Sequence, residues 1–511
     1  MIFNSILYKS YEDFLKEKTL EVPDFFVDLN LDQIVNAITS VKEEYNLKPF
    51  FYTSLNDIDA IKYRHEVMQD LEDSILFAYL KSFADNMRAM RESLVQVDKI
   101  NYKYQKERMF LEVVINYCET IKTLTHNLSL VDLHSTGLLA FRAYLKIYIQ
   151  SLSFTTILTA ANRIFKELSS IKYCIITKEL RVQVRKYESE TDYSAEIEET
   201  FAKFKQGVVK DYRVEYTHLL SMNHVEEKIL EGVVQLYPDI FLELETFCAK
   251  NQNYADEVVT IFDREIQFYI SYLEYVSILK QTGLKFCYPQ FSNPGKEVYN
   301  YEGFDLALAH KLIKEKVTIV INDFFMKGKE RIIVVSGPNQ GGKTTFARTF
   351  GQLFYLASIG CPVPGRETQL FLFDRLFTHF EKEENILNNH SKLEDDLVRI
   401  HNILDRATSN SIVIMNEILT STTLQDAIFL SKKIIEEIIQ LDLLCVWVTF
   451  IDELASFSEK TVSMVSTVVP ENPALRTYKI ARRPANGLAY ALSIVEKYHL
   501  TYNILKKRIK S

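Results

Sequence analysis

From Val27 to Ala160 apolar residues recur at spacings of three and four, as in LDQIVNAITSVKEEY and SILFAYLKSFADNMRAMRESLVQV, and no proline lies between Pro49 and Pro238. A 3.6-residue period without a breaker predicts long helices. The period changes between residues 171 and 187, where Leu180, Val182 and Val184 alternate with Arg181, Gln183 and Arg185. Alternation of this kind predicts a β-hairpin, turning near Lys178 and Glu179. Its exposed face is expected to carry Arg181, Arg185 and Lys186, either touching a polyanion or forming a solvated edge. Helical spacing returns in SAEIEETFAKFKQ and from Tyr254 to Lys280, where Val258, Phe262, Tyr269, Leu273 and Val276 form a stripe for packing on another helix. Gly283 is placed to end that helix, and the run CYPQFSNPG then sets a domain boundary near Pro294 and Gly295.

Beyond that boundary short apolar runs alternate with helical stretches. Ile332 to Val335 precedes TTFARTFGQLFYLA, SIVIMNEIL precedes LQDAIFLSKKIIEEIIQ, and LLCVWVTFIDEL follows. This order predicts a mainly parallel sheet with helices, whose ligand sits at the strand C-termini. The expected fold class is therefore α plus α/β: a long-helix lever or core domain over residues 1–295, then an α/β domain over residues 296–511.

Composition narrows the function. The chain has 511 residues, 47% hydrophobic and 25% charged, in the range of a folded globular protein. Sixty basic and 68 acidic residues give a net charge of −8, which excludes a globally cationic nucleic-acid coat but leaves room for a local basic channel. The six cysteines stand too far apart for a C-x-x-C pair and read as reduced, buried side chains. No run of 18 apolar residues occurs, and the start MIFNSILYKSYEDFLKEK turns acidic too soon for a secretory signal. A cytoplasmic protein without a membrane partner is the expectation.

The chemistry concentrates where glycine does: seven of the 14 glycines fall between Gly328 and Gly365. Within RIIVVSGPNQGGKTTFARTF stands G-x-x-x-x-G-K-T, formed by Gly337, Gly342, Lys343 and Thr344, between a predicted strand and a predicted helix. Backbone amides freed by Gly341 and Gly342 would converge on phosphate oxygens at the positive end of the helix. Lys343 would neutralise the β- and γ-phosphates, and Thr344 would ligate Mg²⁺. A second element should complete the metal shell and activate water. SIVIMNEIL supplies it, with Glu417 as the candidate general base and Asn416 where P-loop NTPases usually carry aspartate. An amide brings no negative charge, so weaker metal binding and slow turnover are expected.

The run Gly337, Pro338, Asn339, Gln340, Gly341, Gly342, Lys343, Thr344, Thr345, followed by IGCPVP, resembles the ATPase domain of the MutS family of DNA mismatch repair proteins. Further segments agree in order: VINDFFMKGKERIIVVSGPN, FDRLFTHF, NNHSKLEDDLVRIHNIL, STTLQDA and YKIARRPANGLAYALSIVEKYHL. The resemblance covers about Tyr301 to Ile509, and more loosely Pro49 to Asp73. It implies an ABC-type P-loop ATPase that binds ATP with Mg²⁺ through Gly337 to Thr345, with Asn416 and Glu417 as the second motif. Ser391 matches the signature serine that reaches the other subunit's nucleotide in family dimers, and otherwise reads as a helix N-cap. A homodimer with composite ATP sites is thereby implied, Asp426 fitting the loop between subunits. DNA is the implied partner.

Three features depart from the family pattern. Asn416 replaces aspartate, and Phe450 stands where histidine follows threonine. The stretch before Pro49 is short for the mismatch-reading domains, and Phe-x-Glu at Phe110-Leu111-Glu112 and Phe241-Leu242-Glu243 falls inside helical patterns. The chain also ends soon after the closing helix, leaving no room for a small nuclease domain. Recognition of DNA shape, such as a branch or junction, is therefore expected over base readout, with Arg181, Arg185, Lys186 or the run Lys506, Lys507, Arg508 and Lys510 as contacts. Two alternatives stand beside this reading: a nucleotide-gated switch acting on a protein or ribonucleoprotein, and a chromosome-maintenance ATPase with a short coiled coil.

Overall fold

The computed structural model describes residues 3–9, 21–178, 181–190, 193–202, 222–292, 295–381, 391–485, 500–502 and 505–506. The chain forms two compact units: Asp73–Leu133 and Leu139–Asp263 belong to one, while Asn4–Glu72, His134–Leu138 and Arg264–Ser511 belong to the other.

The first unit is built on helices. α1 (Ser74–Asp98) starts at Asp73, whose Oδ1 accepts from the amides of Ile75 and Leu76 at 2.7 and 3.0 Å, as an N-cap should. It is followed by α2 (Lys103–Ser129) and α3 (Leu152–Ser170). The period-2 stretch forms the expected hairpin, β1 (Tyr173–Lys178) and β2 (Arg181–Lys186), paired antiparallel with Ile175 opposite Val184. Then come α4 (His224–Leu236), opened by a capping box of Asn223 and Glu226, and α5 (Pro238–Lys250). Leu111, Val114, Ala161, Ile164, Val233, Leu244 and Phe247 share one core, onto which Val184 packs. The hairpin lies against α4: a Cβ added at Gly232 would stand 3.1 Å from the Val184 side chain.

Strand parity corrects one expectation here. Arg181, Gln183 and Arg185 share a face, but Lys186 falls on the opposite one, with its ammonium over the Tyr237 ring at 5.1 Å. Of the expected turn near Lys178 and Glu179, Lys178 ends β1 and Glu179 lies outside the described residues, as do Pro294 and Lys507, Arg508 and Lys510. Both Phe-x-Glu triplets sit within helices, and Phe241 is buried in the core just described.

The second unit is the α/β part. Among its described residues six strands form one sheet: β3 (Ile332–Ser336), β4 (Leu376–Phe380), β5 (Ile412–Asn416), β6 (Leu444–Val448), β7 (Thr461–Val469) and β8 (Asn472–Arg482). Their order is β4-β5-β6-β3-β7-β8, parallel throughout except for the β7–β8 hairpin. Three helices accompany them: α6 (Lys343–Ser358), α7 (Lys392–Arg406) and α8 (Leu424–Leu441). The unbroken apolar runs are explained by burial, since Ile332 to Val335 and Ile412 to Ile414 have no exposed surface. Trp447, Ile434, Ile435, Ile438, Ile400 and Leu404 fill the core on one face.

Described residues between 25 and 64 belong to the same compact unit as α6 and pack onto it. Tyr355 meets the rings of Phe25 and Phe26 edge-to-face, at centroid distances of 5.2 and 5.1 Å. Gln352 Nε2 donates to Leu29 O at 2.8 Å, and Arg348 Nε to Asp28 O at 2.9 Å. Arg64, fully buried, donates to Ile359 O just past α6 and to Leu7 O. A helix that opens on a polar loop thus has its remaining faces fixed by apolar and carbonyl partners.

At the N-terminal edge of the sheet one carboxylate gathers three cations. Asp442, left-handed at φ 55°, pairs with Lys460 at 2.8 Å, Arg331 at 3.2 Å and Lys296 at 3.3 Å. Partial burial opposes its ionisation, but the three cations outweigh that and hold its carboxyl down at about 2. A depressed carboxylate stabilises the fold above its unfolded value near pH 4, and the contribution fades as pH falls through 2. Asp442→Asn keeps the left-handed backbone and removes the charge; it should cost about 1 kcal/mol near neutrality, given its exposure. Urea unfolding at several pH values checks this, and the gap from wild type should close between about pH 4 and 2.

Candidate nucleotide site

The C-terminal ends of β3, β5 and β6 converge on one loop, which runs from Gly337 to Gly342 before α6 begins. Three of its residues need left-handed backbone: Gly337 at φ 116°, Gln340 at φ 59° and Gly342 at φ 88°. Gly341 is required for a different reason. A Cβ there would stand 2.2 Å from Ser466 Oγ and 2.9 Å from Pro338 O. Ser466, fully buried on β7, donates its hydroxyl to Gly341 O at 2.7 Å and so braces the loop from beneath. The first helical hydrogen bond runs from Phe346 N to Gly342 O, so the earlier amides of α6 have no intrahelical acceptor. This is an anion cradle by construction.

Lys343 is 4% exposed and extends into the loop, donating to Gly337 O at 3.1 Å, Pro338 O at 3.3 Å and Asn339 Oδ1 at 3.2 Å. Its ammonium lies 3.6 Å from Glu417 Oε1. Burial pushes the lysine below its usual value, Glu417 opposes this, and Arg476 adds to it. A desolvated cation within reach of loop carbonyls is matched to a ligand richer in negative charge than those carbonyls. Thr344 donates its hydroxyl to Asn416 Oδ1 at 2.9 Å, and Thr345, in the same first turn, accepts from Thr349. Pro338 is buried, whereas Asn339 and Gln340 are exposed at the mouth. Thr344 and Asn416 offer a metal neutral oxygens only, so charge would have to come from phosphate.

Thus Lys343, Thr344, Asn416 and Glu417, separated by more than 70 positions, share one cluster. Glu417 follows β5 at φ 51°, its amide donating to Val448 O at 3.0 Å. Thr449 is buried and its hydroxyl accepts from Ile451 N at 3.1 Å, while Phe450 beside it is 52% exposed. Ser391 stands elsewhere, as the N-cap of α7, accepting from Glu394 N at 3.3 Å. Asp426 is paired with Thr423 in the first turn of α8. Arg181 and Arg185 are exposed on the hairpin of the first unit.

Sequence reading passed over Ser466 and Arg476. Arg476, on β8, donates to Asn339 O at 3.1 Å and places a second cation by the loop. Neither belongs to a motif, and only the β7–β8 hairpin brings them to the site. Gly341→Ala should therefore abolish nucleotide binding while the chain still folds, because the added methyl meets Ser466 and backbone. Titration with a fluorescent ATP analogue, beside a thermal melt, checks it.

Residues 333–508 match the family model of MutS domain V. A DNA mismatch repair protein MutS from Geobacillus is 24% identical over 321 residues, covering 61% of this chain and 35% of the relative. The endonuclease MutS2 of Thermus thermophilus is 28% identical over 205 residues, 39% of this chain and 26% of the relative. The DNA mismatch repair protein MSH3 of Eremothecium gossypii is 32% identical over 127 residues, 25% of this chain and 12% of the relative. The matches therefore span about a third or less of these relatives' own lengths. No helix among the described residues is long and apolar enough to cross a membrane. Residues 333–508 of this chain are thus identified as a MutS domain V.

Proposed function

We propose that this protein is a Mg²⁺-dependent ATPase of the MutS type, with an ABC-type P-loop domain, that binds DNA and senses its shape. The observation that carries the reading is the junction of Lys343, Thr344, Asn416 and Glu417 at the C-terminal edge of a mainly parallel sheet. Gly337 to Thr345 would hold the triphosphate, Lys343 neutralising its terminal phosphates. Thr344 and Asn416 would hold Mg²⁺, which supplies charge compensation when bound. Glu417 would orient a water and take its proton. Turnover is slow in this reading, because Asn416 adds no charge to the metal shell.

Ser391 is exposed at a helix N-terminus, where a phosphate of a second subunit could be met. This supports a homodimer with composite ATP sites and nucleotide-gated clamping. DNA as partner, in the cytoplasm, is supported by relatives named for DNA mismatch repair and by the exposed Arg181 and Arg185. Mismatched, branched or junction DNA is the proposed target, held through its backbone. A nucleotide-gated switch on a protein partner is the second reading, favoured by Asn416.

Three experiments test the proposal. Glu417→Gln should lower ATP turnover roughly a hundredfold or more while nucleotide binding persists; Asn416→Asp should tighten Mg²⁺ binding, read as a lower half-saturating concentration. Binding to homoduplex, mismatched and four-way-junction DNA, with and without ATP and Mg²⁺, should show a nucleotide-responsive preference that weakens with salt. Absence of binding at low salt would favour the protein-partner switch.

A further inference from the structure

Two residues of the loop after β5 hold left-handed backbone without being glycine: Glu417 at φ 51° and Leu419 at φ 60°. That conformation costs an L-residue roughly 1–2 kcal/mol and persists only where the surroundings fix it. Val448 O fixes Glu417 through its amide. Leu419 is fixed differently, by a side chain: its amide donates to Asp396 Oδ2 at 3.3 Å. The other oxygen of the same carboxylate, Oδ1, lies 3.0 Å from His379 Nε2. His379 is fully buried on β4, and Asp396 stands near the start of α7. Burial opposes ionisation of Asp396, yet the His379 ring, the Leu419 amide and Lys392 outweigh it and hold the carboxyl below its usual value.

A second tie runs beside the first. Glu381, one residue beyond β4, accepts from the Thr420 hydroxyl at 3.2 Å. The same Oε1 accepts from Lys392, the first residue of α7. Two carboxylates, one buried and one at the surface, thus join the end of β4, the first turns of α7 and the loop that carries Glu417. Lys392 and Asp396 lie one turn apart on α7, so any displacement of that turn would carry both. Leu419 and Thr420 are the groups that must follow.

We propose that Asp396 is a positioning residue for Glu417, transmitting the seating of α7, the helix capped by Ser391, to the direction of the Glu417 carboxylate. The proposal rests on the ATP-hydrolysis reading of this site. Neither His379 nor Asp396 touches the nucleotide loop, so the effect is on turnover and not on binding.

The test compares Asp396→Ala with Asp396→Asn in the full chain. An asparagine can accept from Leu419 with its oxygen and donate to Nε2 of the other histidine tautomer, preserving both ties without the charge. Asp396→Ala should bind a fluorescent ATP analogue at wild-type stoichiometry, with a Kd within about threefold, while kcat per bound nucleotide falls roughly tenfold or more. Asp396→Asn should stay within about threefold of wild type on both measures. Should the alanine variant fail to fold, Thr420→Val at the surface tie must lower kcat per bound nucleotide in the same sense. The proposal is overturned if bound stoichiometry falls while kcat per bound nucleotide is unchanged, or if the asparagine variant is as impaired as the alanine one. A wild-type chain that binds nucleotide without hydrolysing it overturns the ATPase reading and the proposal together, and that result precedes any variant.

Discussion

The site depends on one buried ammonium. Lys343 loses most of its hydration at the first turn of α6, and such a charge survives only where several oxygens surround it. The loop supplies them by turning two carbonyls and an asparagine oxygen inward. Glu417 adds an opposite charge from across the sheet. That inward turn is why Gly337, Gln340 and Gly342 are left-handed, and why Ser466 must sit close enough to leave Gly341 no room for a side chain. Much of the remaining fold serves to hold α6 in place against this constraint. Leu29 and Phe51, among the described residues before position 72, hold its flank and far end, and the buried β3 feeds its start.

What could be read from the sequence was whatever is carried by local spacing. The strand, loop and helix around Lys343 are contiguous, so period and glycine placement disclose them together. Asn416 and Glu417 were legible because a fully apolar strand ending in polar residues marks the edge where ligands sit in a parallel sheet. The hairpin was visible through alternation, but not the side on which Lys186 falls, since one residue of offset reverses the face. Ser466, Arg476 and Asp396 were out of reach for another reason. Each acts through a contact made by strand order or helix packing, and no residue near it in sequence differs from an ordinary strand or helix position. The packing of described residues between 25 and 64 onto α6 was hidden likewise: an amphipathic helix reports that it has an apolar partner, never which one.

Asn416 shows how a single amide alters the balance of such a site. In the fold seen here it forms a neutral pair with Thr344, hydroxyl to amide oxygen. A carboxylate at the same position would be a buried negative charge next to the half-buried Glu417, facing one buried lysine, and would require a cation to offset it. The amide removes that requirement, so the cluster of Lys343 and Glu417 is close to charge-balanced by itself. On the proposed reading, a triphosphate entering this site would meet Lys343 and Arg476 as its fixed cations, and any metal it brought would gain a neutral oxygen in place of an anionic one. Binding energy then rests more on the protein's own cations and amides and less on the metal. On the proposed ATPase reading, a site built on those terms would favour holding nucleotide over consuming it.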